Sequence, residues 1–594
     1  MNCLLIFDHL NDVVHKKYNE EFANHINVLA VEQGLLSKDS VSSQVYNNVV
    51  IQTFSPIVTS HRIMNCQFGN SYRFIKCEDD LMMYFEEYMG YLFVFIGKNS
   101  EEYMRKFTNI SVTIVRYLCG PDIYRLKEHE EKAILANKLI DSWIAMESND
   151  QAIHVEAVEQ LVVNPDLTSA TIQILRDSVE KLTSQIDCKK IHALILVHNK
   201  FLSLYSSQNA RELSASDMIF LTIMCHSIEL QNTTTTSDDP QVFSYQVLLS
   251  GPEGDPKCLP HVVHIIPVLN AINLIYLFEI GNLTVAASLY ETFCHFHTMQ
   301  QVQIQREKEI MHPALENLDL ANRKLNDSLK KNKNSAIENS HKQIVKKWEI
   351  IKKKYQDYLK NDSEESLLRA ETLGLGFLEN LKEILGFTSV DESVLNSSVD
   401  YIKEVSSGVI EKLETYEEFL NVKSINNFSL GSYLEEFPGL VHFLYIDRNT
   451  HRITTPSLEF STEEQLFNKK KIWFMMDFGR KYLHKAGVMQ LIWKDTKFSY
   501  AYFIWFEDSN GTPLKPTVFP EQLSSLPGIL CEDFYKKLKE KCFPKMQPSK
   551  VRCYELFCLH IGLVTASVVL EQNRRLAATI SEIRGHPFLA TDFL

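Results

Sequence analysis

No CxxC pair occurs among the twelve cysteines, which are scattered from Cys3 to Cys558. Neither a zinc finger nor a dense disulfide framework is therefore expected, and free thiols in a reducing compartment are the simpler reading. The chain lacks the phosphate loop GxxxxGK followed by Ser or Thr, and it lacks GxGxxG. Gly374-Leu375-Gly376 has no third glycine and reads as a hinge or bend in a helical stretch. The GxSxG elbow, the HExxH pair and the EF-hand loop are also missing. These absences exclude nucleotide binding by the usual loops and the commoner hydrolases, so neither catalytic residues nor a cofactor are expected. Positive charge is not in excess. Lys and Arg number 61 against 75 Asp and Glu, a net −14, which argues against nucleic acid as the main partner. Long apolar runs are missing too. The longest, Val262–Ile280, is interrupted by His264, Pro267, Asn270, Asn273 and Glu279, whereas a membrane span needs about 20 nearly unbroken apolar residues. The N-terminal MNCLLIFDHLNDVV has no basic start and stops being apolar at Asp8, so no signal peptide is expected. Asn2 likewise excludes N-myristoylation. The expected location is the cytoplasm, with membranes reached through partners.

What is present is an ordinary soluble composition, 45% hydrophobic and 23% charged, with aromatics somewhat rich at 11%. A chain of 594 residues is too long for one core and suggests roughly three or four units. Residues 1–125 read as a small α+β unit. It has strands at Cys3–Phe7 and Val13–Tyr18, a helix near Glu20–Leu35, strands at Tyr72–Cys77, Leu81–Tyr88 and Tyr91–Ile96, and a helix striped by Met104, Phe107, Ile110, Ile114 and Tyr117. Gly120-Pro121 stops that helix. The strand LFVFI at Leu92–Ile96 is apolar on both faces, so more than this unit's own helices is needed to bury it.

Residues 126–230 read as a helical extension and 231–241 as a polar linker, with Gln231–Pro240 (QNTTTTSDDP) unable to form a core. A second α+β unit is expected over 242–312, with strands at Val242–Leu249, His261–Ile266 and Ile272–Ile280 and a helix from Leu283 to about His312. Residues 313–428 form a charged helical segment. A third unit, 429–594, has strands at Val441–Asp447, Arg452–Pro456, Met489–Lys494 and Ser499–Glu507, a helix at Thr462–Ala486, and an edge strand at Thr512–Phe519 confined there by two prolines. Its closing helix is expected to align Tyr554, Phe557, Ile561, Val564 and Val568.

The run YLEEFPGLVHFLYIDR at Tyr433–Arg448, with VRCYELFCLH at Val551–His560, resembles the Hermansky–Pudlak syndrome type 1 protein family. LVHNKFLSLYSS at Leu196–Ser207 and the meander Tyr72–Gly97 agree with it. The resemblance implies an α+β fold of three longin-like units, five-stranded antiparallel sheets with helices, joined by helical segments. It also implies one subunit of a guanine-nucleotide exchange factor for Rab GTPases, serving lysosome-related organelles such as melanosomes or pigment granules. The implied obligate partner is a longin subunit like the Hermansky–Pudlak syndrome type 4 protein, and recruitment to endosomal or organelle membranes is peripheral. The long Ser/Pro-rich insertion expected midway is reduced here to Gln231–Pro240. A scaffold or effector built on the same domains is the alternative, because fold alone does not fix activity.

The resemblance points to the first longin helix as the platform for the GTPase or partner, with Glu20, Glu21, Asn24, Asn27, Val28, Val31 and Leu35 as candidates. Arg323–Lys360 holds twelve basic against four acidic residues. It reads as a solvated helical face, as a contact with anionic membrane through Lys346, Lys347, Lys352, Lys353 and Lys354, or as a site for an acidic patch on a partner. Cys553, Cys558 and His560, and Cys294, His295 and His297, invite a metal reading. Their spacing on helices and the absence of acidic neighbours favour core residues instead, so no metal is expected. Glu435 and Glu436 are adjacent and point apart, which makes a shared-proton dyad improbable.

Overall fold

The computed structural model describes residues 2–36, 44–68, 71–186, 188–230, 241–252, 257–331, 335–389, 392–428, 436–458, 462–516, 519–520, 523 and 525–583. The linker Gln231–Pro240 and Glu435 lie outside these residues, as does part of the strand expected at Thr512–Phe519.

The first sheet contains β1 (Cys3–Phe7), β2 (Val13–Tyr18), β3 (Phe74–Lys76), β4 (Met82–Tyr88) and β5 (Tyr91–Gly97), in the order β2-β1-β5-β4-β3. Helices α1 (Glu20–Glu32) and α2 (Asn47–Phe68) follow β2, and α3 (Glu101–Cys119) follows β5. The β1–β2 hairpin and the two tight turns of the meander set every pairing antiparallel. Ser100 caps α3 by accepting from the Tyr103 amide, and Gly120 ends it at φ +64°. The short helix α4 (Arg125–Glu128), the long helix α5 (Glu130–Asn149), the short helix α6 (Gln151–His154), a two-residue strand β6 (Val158–Glu159) and α7 (Pro165–Gln185) lead onward.

The second sheet begins earlier than the sequence suggests. Strands β7 (Ile191–Val197) and β8 (Lys200–Ser206) lie inside the stretch expected to be a helical extension. All seven residues of β7 are buried, so the alternation that marks a strand is absent there. After α8 (Ala215–Glu229) come β9 (Phe243–Leu249), β10 (Leu259–Leu269) and β11 (Ile272–Glu279), in the order β8-β7-β11-β10-β9, and then α9 (Leu283–Gln305). The turn into α10 (Lys308–Leu329) is made by Arg306 at φ +58°, six residues before the end expected for that helix. Helices α11 (Ser335–Asn361) and α12 (Glu364–Ser389) complete a bundle with its own core around Phe296, Trp348 and Phe377. Gly374 and Gly376 do not break α12. A Cβ on Gly374 would sit 3.2 Å from Phe296 and one on Gly376 3.2 Å from the Lys347 ammonium, so these glycines admit neighbouring helices rather than bend their own.

After α13 (Glu392–Glu414) and α14 (Glu417–Ile425), the third sheet contains β12 (Leu440–Asp447), β13 (Arg452–Thr454), β14 (Gln490–Lys494), β15 (Phe498–Glu507), β16 (Pro513–Leu514) and β17 (Arg552–Ile561). Helix α15 (Glu463–Ala486) opens with a Thr462–Gln465 capping box, α16 (Phe534–Cys542) precedes β17, and α17 (Ala566–Ile583) closes the described chain. Residues 552–561 form a strand, not the start of the closing helix. Eight of the ten are buried because both sheet faces are covered, and the 3-and-4 spacing of Tyr554, Phe557 and Ile561 within that run has no helical meaning.

All three sheets share one core connectivity, two strands, a helical stretch, three strands, to which the third adds β16 and the parallel β6. One core joins the inner faces of the three sheets to α3, α5, α8 and α15. Outer faces are covered separately, the first by α1 and α2, the second by α7 and α13, and the third by α17. Leu92–Ile96 and Ala501–Phe506 are thus buried on both sides within the chain, and no partner is needed to cover them. Segment 158–161 also stitches two sheets together. β6 runs parallel to β13, while the Leu161 amide donates to the Phe201 carbonyl on β8 at 2.8 Å.

Candidate functional site

The topologically equivalent helices α1, α8 and α15 are not equivalently placed. α8 and α15 turn into the shared core, whereas α1 lies on the outer side of the first sheet. Asn19 caps α1 by accepting from the Phe22 amide at 3.1 Å, and Phe22, Ala23, Ile26 and Ala30 bury against the sheet. Glu20, Glu21, Asn24 and Val28 face solvent, with Val28 56% exposed, while Val31 and Leu35 are half-buried. Asn27 is 1% exposed and leaves the set of surface candidates, because it follows Ala23 by one turn on the buried stripe. Helix α2 was not legible in the sequence, yet it doubles this surface. Phe54 stacks on Phe22, and Ile63 and Phe68 stand exposed beyond them. A shallow groove of about 680 Å³ runs along α2 from Ile51 to Met64, past Pro56. The Asn11 amide donates to the Thr59 hydroxyl at 3.2 Å and draws the β1–β2 turn, with the 71%-exposed Leu10, towards the same helix.

A second feature is a cavity of about 840 Å³ between α3, β4, α15 and residues 525–540. Its lining mixes signs, with Arg105, Lys106, Arg480 and Lys485 against Glu102 and Glu147. Lys485 hydrogen-bonds Glu102 at 2.7 Å and holds its carboxyl at about 2, so this pair is satisfied internally. Nearby, His154 lies between Asp477 (2.9 Å) and Glu147 (3.1 Å). Burial and Lys106 pull its pKa down, but the two carboxylates outweigh them and the net shift is upward. Cys531 on the wall is a thiol pushed up to about 12 by burial, the opposite of an activated nucleophile.

The basic segment divides in two. Lys347 donates to the Gly376 carbonyl at 2.8 Å and to Asn380 Oδ1 at 2.6 Å, and Lys352 meets Asp319 at 2.7 Å beside the Trp348 indole. These two lysines staple the bundle. Lys346 and Lys353 stay exposed and Lys354 half-buried. Cys553, Cys558 and His560 lie on β17, where Cys558 and His560 share a face and Cys553 takes the other. Burial raises both thiols well above the ordinary range. On α9, Cys294 is pushed up to about 11, and His295 and His297 turn to different carboxylates, Glu291 and Glu87.

The two motifs that carry the resemblance meet inside the third sheet. β12 pairs with β17, and fully buried Arg448 donates to Glu555 at 2.5 Å. Its other nitrogens donate to the Glu156 and Val155 carbonyls at 3.1 Å, with the Tyr535 ring 4.0 Å from the guanidinium. The motif residues are therefore structural, fastening the segment after the first unit to the third.

Three sheets share one five-stranded antiparallel core with flanking helices, the third extended by β16 and the parallel β6, and they define a multi-domain α+β protein with one outward helical pair. Models of the first, second and third longin domains of FUZ, MON1 and HPS1 match residues 2–146, 188–297 and 439–583 respectively. The chain belongs to the longin-domain proteins and carries the domain set of FUZ, MON1 and HPS1 in order. Among the described residues, no helix is long and apolar enough to cross a membrane.

Proposed function

We propose that this chain is one subunit of a heterodimeric guanine-nucleotide exchange factor that activates a Rab GTPase in the biogenesis of lysosome-related organelles. Longin domains of this set are typical of trafficking proteins resembling Rab exchange factors. The observation that carries the proposal is the outward placement of α1 and α2, while the equivalent helices of the other two domains are buried. Exchange needs a shaped surface and no acid–base pair. The factor holds the GTPase in a form whose switch loops are displaced, and by linkage it loses affinity for the GTPase by the factor with which nucleotide affinity falls. The second longin subunit, like the Hermansky–Pudlak syndrome type 4 protein, supplies the other half of the platform. The complex works in the cytoplasm and is recruited peripherally to endosomal or organelle membranes.

The deciding measurement is release of fluorescent GDP across a Rab panel. The heterodimer accelerates release from one branch and the single chain does not, and excess nucleotide dissociates the ternary complex. Binding confined to the GTP form, with no acceleration for any member, makes the protein an effector or scaffold instead.

A further inference from the structure

Three side chains far apart in sequence converge at one end of the second sheet. His192 lies on β7, His261 on β10 and Glu279 at the end of β11, the strand between them. His261 and Glu279 are directly paired across strands, and His192 opposes Leu277, which places it diagonal to Glu279 on the same face. All three are buried, and the candidate ligand atoms lie within 4.8 Å of one another.

We propose that His192, His261 and Glu279 bind a divalent transition-metal ion, with Zn²⁺ the best match to two imidazoles and one carboxylate. Four observations support this. The His261 Nδ1–H donates to the Leu259 carbonyl at 2.9 Å, which leaves the lone pair on Nε2. His192 Nδ1 is 2.8 Å from the Ser206 hydroxyl, so its Nε2 is also the outward nitrogen, and that atom is buried with no hydrogen-bond partner. Second-sphere bonds of this kind fix the tautomer and orientation of metal-binding imidazoles. Glu279 is anchored by the Arg211 amide at 2.6 Å on Oε1 and by Lys190 at 3.2 Å on Oε2.

Finally, His192 Nε2 stands 3.6 Å from Glu279 Oε1. That is too long for a hydrogen bond. Two ligands held about 2.0–2.1 Å from one tetrahedral zinc are separated by roughly 3.3 Å, close to the observed gap. The other two pairs lie within 4.8 Å, and shifts of roughly 1 Å bring them into range, with water as the fourth ligand. The ion ties β7, β11 and β10 together across two strand pairs. The competing account is a plain His192–Glu279 ion pair beside a neutral His261.

The test uses the full chain, co-expressed with its partner where that aids yield and equilibrated in a zinc buffer. Elemental analysis then gives about one zinc per chain above the level in the His192→Asn variant, and Co²⁺ exchange produces the visible bands of a four-coordinate site. Ser206→Ala, which disturbs no ligand, weakens Zn²⁺ affinity roughly tenfold. Zinc chelation lowers the Tm of the native protein and leaves that of Glu279→Gln unchanged. Equal zinc content in native and His192→Asn proteins, or unaltered affinity in Ser206→Ala, overturns the site and leaves the ion pair. The His192→Asn comparison also separates this site from any cysteine-bound zinc elsewhere.

Discussion

Arg448 ends the run FPGLVHFLYIDR, and its charge is enclosed by Glu555, two carbonyls and an aromatic ring. Removing one member of such a buried pair strands the other, at a cost of about 3–5 kcal/mol. Arg448→Met is therefore expected to destabilise the chain by that amount in a denaturant melt, and Arg448→Met with Glu555→Leu to recover most of it. His442, in the same run, places Nε2 2.6 Å from Gln151 Oε1, and burial pulls its pKa down to about 3. An unfolded histidine titrates near 6.5, so between these values the unfolded state binds more protons and stability falls as pH falls. The loss from pH 6.5 to 5 is about 2 kcal/mol for this one group. His442→Gln is expected to flatten the pH dependence of Tm by that portion, the remainder arising from other buried histidines such as His61 and His264. The motif was visible in the sequence but the purpose of its residues was not, since Gln151, Val155 and Glu156 lie far upstream. The same distance hid His192, His261 and Glu279, because spacing reveals ligands only when one element carries two of them.

Among elements, most strands were legible, including the fully buried β1, β5, β11 and β15, while β7, β8 and β17 were not. β7 and β17 lost their period of two to burial, and the sequence of β17 imitated a helical stripe. The glycines of α12 were mistaken for breaks because close approach between helices leaves no local trace. Gly374→Val is expected to overpack against Phe296 and destabilise by about 1–3 kcal/mol. Gly408→Ala in α13, where nothing lies within 4 Å of the added carbon, is expected to stabilise by about 0.5–1 kcal/mol. Paired thermal melts distinguish them. Helix α11 offers a comparable contrast. Lys347→Glu and Lys352→Glu should lower Tm, since each breaks a bundle contact. Lys346→Glu with Lys353→Glu should leave Tm unchanged and, if this face meets anionic lipid, reduce liposome pelleting in a salt-screened manner.

At the scale of the molecule, the doubly apolar strands Leu92–Ile96 and Ala501–Phe506 are covered by the chain's own helices and neighbouring sheets. Partner dependence then rests on surface groups. Val28→Glu, Ile63→Glu and Phe68→Glu together are expected to change folding stability by less than about 0.5 kcal/mol each and yet slow GDP release from the Rab in the presence of the heterodimer. Loss of the fold in that triple variant would place these side chains in the core and remove them from the platform. The stitching by segment 158–161 has a temporal side. Its partner on β13 is made almost three hundred residues later, which at ~5–20 residues per second means a wait of roughly 15–60 s on the ribosome. For that interval the Glu156 carbonyl and the β6 edge have no Arg448 or β13 to meet, so nascent chains halted before residue 448 should be held by chaperones and those extended beyond β17 released.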